Sequence, residues 1–135
     1  MEIHFHAIDF AVVDNDQQKY YDEMTKKLFS SQKKLRRLFD GVSDVILRRG
    51  EGFIVDIIGN KTLPEYQDYL LIFDFPKSYF KEIILGLRHF LDILEDDWRF
   101  NDAVDPVKYM PLYRNIKHLI IVLAYQANIK GVCLS

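Results

Sequence analysis

The sequence has only one cysteine, Cys133, so no disulfide can form within the chain. The absence of an internal disulfide fits a reducing compartment, and we assign no role to the thiol, because no basic neighbour would activate it. The longest apolar run, Leu119–Tyr125, is far shorter than the roughly 20 residues that span a bilayer. The N-terminal stretch MEIHFHAIDF lacks the basic and apolar regions of a signal peptide. These absences predict a cytoplasmic protein with no membrane partner.

Sequence motifs for catalysis are also lacking. The six glycines are scattered, and neither a glycine-rich phosphate loop nor a G-x-S-x-G turn occurs. The net charge of −2 does not favour nucleic acid as a partner. We therefore predict no catalytic residues, no metal site and no cofactor, and we favour a binding protein over an enzyme. With 49% hydrophobic and 28% charged residues, residues 1–135 are expected to form a single globular domain.

The strongest pattern lies between Pro76 and Phe100, where apolar residues recur at steps of three and four. This spacing predicts a long helix with one apolar stripe, and Pro76 suits its first turn. The predicted stripe consists of Phe80, Ile83, Ile84, Leu87, Leu91, Leu94 and Trp98. At the far end, Glu95, Asp96 and Asp97 face the negative end of the helix dipole, which is unfavourable. A locally unfavourable charge can mark a functional surface.

An earlier helix is predicted to begin at Asp14. Gln17 follows three residues later, which resembles a capping box, and Asp40-Gly41 is a typical helix end. Its predicted inner stripe consists of Tyr21, Met24, Leu28, Ser31, Leu35 and Leu38.

The last predicted helix begins at Pro111 and ends near Ala127. Every residue from 119 to 123 is apolar, which predicts a central and largely buried helix. The preceding residues are expected to form a loop, or a short helical turn that begins at Asp105-Pro106.

Alternating apolar residues predict strands. The first covers Glu2–Val13, and Val42–Arg49 with Phe53–Ile58 reads as a hairpin. The next segment fits either strand or helix, and we assign one helical turn to Leu63–Gln67 and a strand to Asp68–Phe75. The predicted fold is α+β, in the order strand, helix, three-stranded antiparallel meander, helix, helix. The helices would pack on one face of this small sheet.

Charged residues fall into two fields. The basic field consists of Lys19, Lys26, Lys27, Lys33, Lys34, Arg36, Arg37, Arg48 and Arg49, against four acidic residues in the same stretch. The acidic field consists of Asp92, Glu95, Asp96, Asp97, Asp102 and Asp105, against Arg99 alone. Each field is either an ordinary solvated face or a binding surface, and the surface is polarised if the two fields lie apart in the fold.

Aromatic residues are interleaved with the acidic field, and this combination suits a basic partner. Charge steers the encounter and exposed rings supply contact area. The predicted partner-binding residues are Glu95, Asp96, Asp97, Asp102, Asp105, Tyr109 and Tyr113.

Two weaker patterns involve metal chemistry. His4-x-His6 would place two imidazoles on one face of a strand, but no third ligand accompanies them. The order helix, meander, helix resembles restriction-like nucleases, which place an aspartate and an acidic-x-lysine motif on adjacent strands. Asp56 and the pair Asp74 and Lys77 occupy comparable positions, although the spacing is one residue too long. Glu23 would add a third carboxylate.

In size, lack of motifs and acidic-aromatic character the chain resembles the immunity proteins that neutralise bacterial toxins. That resemblance implies a small intracellular inhibitor whose carboxylates mimic phosphates and block a basic toxin, for example a nuclease. The alternatives are a degenerate restriction-like metal-dependent nuclease and a self-associating structural subunit.

Overall fold

A computed structural model describes residues 2–6, 10–11, 14–31, 36, 70–74 and 77–131. These residues contain two short strands and three long helices. In chain order the elements are β1 (Glu2–His6), α1 (Asn15–Ser31), β2 (Leu70–Asp74), α2 (Phe80–Phe100) and α3 (Pro106–Ile129). A 3-10 turn, Lys77–Tyr79, leads into α2.

The predicted α+β class is wrong, because helix dominates the described part of the chain. α2 packs along α3, and α1 packs on both, so most of the core lies between three helices, and Ile3 and Phe5 of β1 complete it. The described strands form one antiparallel pair, with Glu2 opposite Asp74 and His6 opposite Leu70. The predicted hairpin strands 42–49 and 53–58 and the helical turn 63–67 lie outside the described residues.

Helix α2 confirms the predicted central helix. Its buried side chains, at steps of three and four, are Phe80, Ile83, Ile84, Leu87, Phe90 and Leu94. Phe90 was not expected in this stripe, whereas Leu91 and Trp98 lie at its edge and are only partly buried. The helix begins at Phe80, and Pro76 lies outside the described residues.

Helix α1 begins where the sequence predicts, but only half of the expected capping box forms. Oδ1 of Asp14 accepts a hydrogen bond from the backbone N–H of Gln17 at 2.8 Å. The Gln17 side chain does not return the bond; its Nε2 donates to the carbonyl oxygen of Lys108 in α3, at 3.2 Å. Tyr21, Met24 and Leu28 are buried as predicted. The described helix ends at Ser31, and the predicted end at residues 40–41 lies outside the described residues.

Helix α3 begins at Pro106, five residues earlier than predicted. Asp105 is its N-cap, and Pro106 occupies the first turn, where a missing N–H costs little. Pro111 therefore lies inside the helix. Within the apolar run 119–123, Leu119, Ile120 and Leu123 are buried, as a largely buried helix requires, whereas Ile121 is 58% exposed.

The cap at Asp105 yields a direct prediction. Its side chain accepts a hydrogen bond from the backbone N–H of Val107, with Oδ1 and N 3.0 Å apart. We expect Asp105→Ala to lower the free energy of unfolding by about 1 kcal/mol in urea titrations, since it leaves that donor unpaired. Asp105→Asn should retain most of the stability, and Asp102→Ala, at an exposed loop position, is the control. Equal stability of Asp105→Ala and Asp102→Ala would contradict the capping role.

Side chains of α3 bind the backbone of the N-terminal segment. The Gln126 amide pairs with both backbone groups of His4: Oε1 accepts from the N–H at 2.9 Å, and Nε2 donates to the carbonyl at 2.7 Å. Asn115 pairs in the same way with Ala11, at 2.7 and 2.8 Å. The Gln126 bonds cover an edge of β1 that could otherwise pair with another chain, and the Asn115 bonds hold Ala11 against α3.

Among the residues the structure describes, none of the helices combines the length and apolar character needed to cross a bilayer.

Candidate protein-binding site

The C-terminal end of α2 brings most of the predicted acidic residues together, and they differ sharply in their surroundings. Asp97 is the most buried, with only 10% of its side chain exposed. Its Oδ2 accepts a hydrogen bond from the Tyr20 hydroxyl at 2.7 Å, and its Oδ1 lies 3.6 Å from Nζ of Lys27. Burial, and then the bond to Asp97, raise the pKa of Tyr20. Asp97 therefore joins α2 to α1 rather than pointing freely to solvent.

The ion pair between Lys27 and Asp97 also shows how the two charge fields are arranged. Lys27 belongs to the basic field and Asp97 to the acidic field, so the fields meet where α1 crosses the end of α2. The other described members of the basic field, Lys19, Lys26 and Arg36, are at the surface.

Glu95 and Tyr113 form a second bonded pair, between α2 and α3. The Tyr113 hydroxyl donates to Oε1 of Glu95 at 2.5 Å, and its ring centroid lies 5.4 Å from that of Trp98. The bond to Glu95, with burial as the second cause, raises the pKa of Tyr113 to about 12. Both residues remain at the surface, and each is already engaged by the other.

Tyr109 lies against the first helix. Its ring stacks on that of Tyr20, with centroids 4.0 Å apart and planes 22° apart. On the same side, Nζ of Lys108 lies 5.6 Å from the Tyr109 ring centroid and 3.0 Å from Oδ2 of Asp16. Tyr109 thus contributes to the packing of α1 on α3.

Asp96 and Asp102 are different, because both are exposed and, among the described residues, neither makes a hydrogen bond or ion pair. Asp92, one turn before Asp96, is also exposed, and its side chain makes no hydrogen bond or ion pair with the described residues. Phe100, one turn after Asp96, is 77% exposed. We call the group Asp92, Asp96, Phe100 and Asp102 the acidic surface.

A shallow depression of about 490 Å³ opens beside Asp96. Its lining residues are Lys27, His89, Ile93, Asp96, Asp97, Phe100 and Asn101. The depression thus combines carboxylates with an exposed ring, and it is open to solvent. The guanidinium carbon of Arg99 lies 5.9 Å from the Phe100 ring centroid, so a cation already approaches this ring from within the chain.

Phe100 is absent from the predicted binding residues, although its position in the helical repeat indicates that it is exposed. The apolar stripe of α2 reaches Trp98, and a residue two positions later points to the opposite side of a helix. A phenylalanine at that position must leave the core stripe, and its exposure follows.

The described residues do not provide the ligand geometry that the two metal hypotheses require. His4 and His6 are both exposed on β1, and Nε2 of His4 lies 3.8 Å from a Glu2 carboxylate oxygen. Within residues 2–6, 10–11, 14–31, 36, 70–74 and 77–131, no group of three or more His, Cys, Asp or Glu side chains could hold a metal ion. Asp56, which the nuclease hypothesis requires, lies outside the described residues.

The bond between Tyr113 and Glu95 predicts a pH-dependent stability. A tyrosine whose folded pKa is raised stabilises the fold fully below the unfolded pKa of about 10, and this contribution is lost as pH rises towards about 12. The difference in unfolding free energy between wild type and Tyr113→Phe should therefore shrink across that range. Phenolate absorbance should show a late titration that Tyr113→Phe removes and Glu95→Gln moves to lower pH. Tyr125→Phe, at an exposed position of the same helix, is the control, and an unshifted Tyr113 titration would contradict the bond.

The chain matches no protein-family model, no curated protein and no solved structure. The chemistry that the site offers is that of its own side chains: free carboxylates around an exposed aromatic ring, supported by a bonded frame of tyrosines and acids.

Proposed function

We propose that this protein binds a basic protein partner through the acidic surface and inhibits it, in the manner of the immunity proteins that block bacterial toxins. The observation that carries the proposal is the contrast between the acids at the end of α2. Asp97 and Glu95 are satisfied by Tyr20 and Tyr113, whereas Asp96 is exposed and unpaired within the described chain, next to an exposed ring.

That contrast bears on the unfavourable charge at the helix end. Asp97 is compensated by Lys27, and Glu95 by a hydrogen bond, so both have structural reasons to be acidic. Asp96 has no such compensation inside the described chain, and its charge disfavours the C-terminal end of the helix by a few tenths of a kcal/mol. A binding partner that supplies a cation would compensate the charge of Asp96.

The proposed mechanism is occlusion. Asp92, Asp96 and Asp102 would stand in for the phosphates of a nucleic-acid substrate and pair with lysine or arginine side chains of the partner's cleft. Phe100 would cover the aliphatic parts of those side chains and offer its face to a guanidinium. A nuclease toxin in the bacterial cytoplasm is the partner that this chemistry fits best.

The helical frame supports this role. Tyr20, Tyr109 and Trp98 fix the end of α2 against α1 and α3, so the acidic surface is presented on a rigid element. Rigid presentation lowers the entropy lost on binding.

The proposal is tested by capture from the native host with tagged protein, at low and at moderate salt. We expect one basic protein in stoichiometric amount, with capture weaker at the higher salt. The captured protein should cleave DNA or RNA when it is alone and lose that activity when the complex is restored. Glu82→Lys, an exposed reversal about 21 Å along α2 from Asp96, is the matched control and should capture the same partner. Failure to capture any basic protein at either salt would contradict the proposal.

A further inference from the structure

Helix α3 exposes a second surface, opposite in charge to the acidic surface. Ile121, Tyr125 and Ile129 follow one another at steps of four residues and are 58%, 67% and 65% exposed. Such a row covers about 12 Å along one side of the helix. Large apolar side chains grouped in this way are typical of an interaction surface.

The same row is basic towards the N-terminus of α3. Lys117 lies one turn before Ile121, and Arg114 lies nearly one turn before Lys117. Both are exposed and, within the described part of the chain, neither makes an ion pair. The sequence of α3 contains no Asp or Glu at all. We call Arg114, Lys117, Ile121, Tyr125 and Ile129 the basic-apolar row.

The acidic surface and the basic-apolar row have matching spacing. On α2, Asp92, Asp96 and Phe100 follow one another at steps of four residues. On α3, Lys117 lies four residues before Ile121, and Arg114 lies three residues before Lys117. If α2 of one molecule lay parallel to α3 of another, Phe100 would face Ile121. Asp96 would then face Lys117, and Asp92 would face Arg114. Every copy of the chain carries both the acidic surface and the basic-apolar row. A second copy can therefore supply the complementary surface for either one.

We propose that the protein self-associates head to tail, with the acidic surface of one copy docked on the basic-apolar row of the next. Phe100 packs on Ile121 and Tyr125, Asp96 pairs with Lys117, and Asp92 pairs with Arg114. Such a contact joins unlike surfaces, so it leaves a free surface at each end and adds further copies as concentration rises. It also covers the acidic surface, and self-association would therefore compete with a basic partner.

Sedimentation velocity of the purified protein tests the inference without any partner. We expect reversible association that grows with concentration beyond a dimer. It should weaken between about 0.1 M and about 1 M salt, where the screening length falls from about 10 Å to about 3 Å. Asp96→Lys and Lys117→Glu should each weaken the association constant by about fivefold or more. An equimolar mixture of the two variants should recover it, because the lysine introduced in one copy then faces the glutamate introduced in the other.

The controls distinguish this contact from other modes of association. Glu82→Lys should leave the association unchanged, and Ile121→Ser should weaken it at both salt concentrations. A monomer at all concentrations would overturn the inference, as would a closed dimer that salt strengthens and Asp96→Lys leaves intact, which would place α3 against α3. The proposed inhibitory function is tested separately, by capture of a different protein, so either proposal can fail while the other holds.

Discussion

Replacing Asn115 by alanine should lower the free energy of unfolding by about 2–3 kcal/mol, because the change removes two hydrogen bonds and leaves their partners unpaired. Asn115 is 1% exposed, and its amide accepts from the backbone N–H of Ala11 and donates to the carbonyl of the same residue. A buried amide that pairs with both backbone groups of one residue holds that residue against the helix. Its loss should release the segment that follows β1 from α3.

The measurement is a urea titration of wild type and Asn115→Ala, with Asn128→Ala as the control. Asn128 lies on the same helix and is exposed, so its replacement reports the gain in helix propensity alone. Asn115→Leu keeps the volume but not the bonds and should also be destabilised. If Asn115→Ala and Asn128→Ala were equally stable, the bonds to Ala11 would carry no net free energy.

Reversing the charges of Asp96 and Asp102 together should weaken binding of the basic partner by at least about 100-fold, or roughly 3 kcal/mol. Two attractive contacts would become repulsive, and the new lysines would resemble the partner's own cleft. The fold should not suffer, because both side chains are exposed and unpaired with the described residues. Asp96→Lys should even stabilise α2 by a few tenths of a kcal/mol, since it places a cation near the helix C-terminus.

A residue that only binds the partner should, when replaced, lower the affinity without lowering the stability of the fold. Replacement of a structural residue should lower the stability as well. Affinity is measured by titration calorimetry against the captured partner, and stability by thermal unfolding of the same samples. Asp97→Asn is the informative contrast: it should cost stability, because it weakens the contacts to Tyr20 and Lys27. Unchanged affinity in the double reversal would move the interface away from the end of α2.

The helices were the predictable part of the fold, since their signals are local. The spacing of apolar residues in α2 depends on 3.6 residues per turn, and the Asp14 cap depends on a side chain three residues from its donor. The pair Asp105-Pro106 is itself a local signal for the start of α3, and the start predicted at Pro111 is five residues too late. A proline inside a helix removes one hydrogen bond, and α3 accommodates this loss near its first turns.

The sheet was predicted wrongly because strand pairing is not local. Alternation shows only that a segment can bury one side, whereas the partner strand is chosen by contacts between distant residues. β1 pairs with β2, nearly seventy residues away, and its other edge is covered by Gln126. An amide side chain in a helix that reads as apolar gives no sequence signal for that role.

The candidate site was predictable in composition and not in detail. Its acids and tyrosines stand out in the sequence, but their division into bonded and free groups depends on other helices. Tyr20 engages Asp97 across 77 residues, and Tyr113 engages Glu95 from the next helix. Only after these pairs are placed does Asp96 emerge as the acid at the helix end without a partner in the described chain.

Carboxylate footprinting of the complex is the measurement that tests the central claim most directly. A carbodiimide and an amine label exposed acids, and peptide mass spectrometry reports the extent at each residue. We expect Asp96 and Asp102 to be labelled in the free protein, at a concentration low enough to keep it monomeric, and protected when the basic partner is bound, while Glu82 is labelled equally in both. Protection at Glu82 with Asp96 and Asp102 still fully labelled would contradict the claim that the end of α2 is the binding surface.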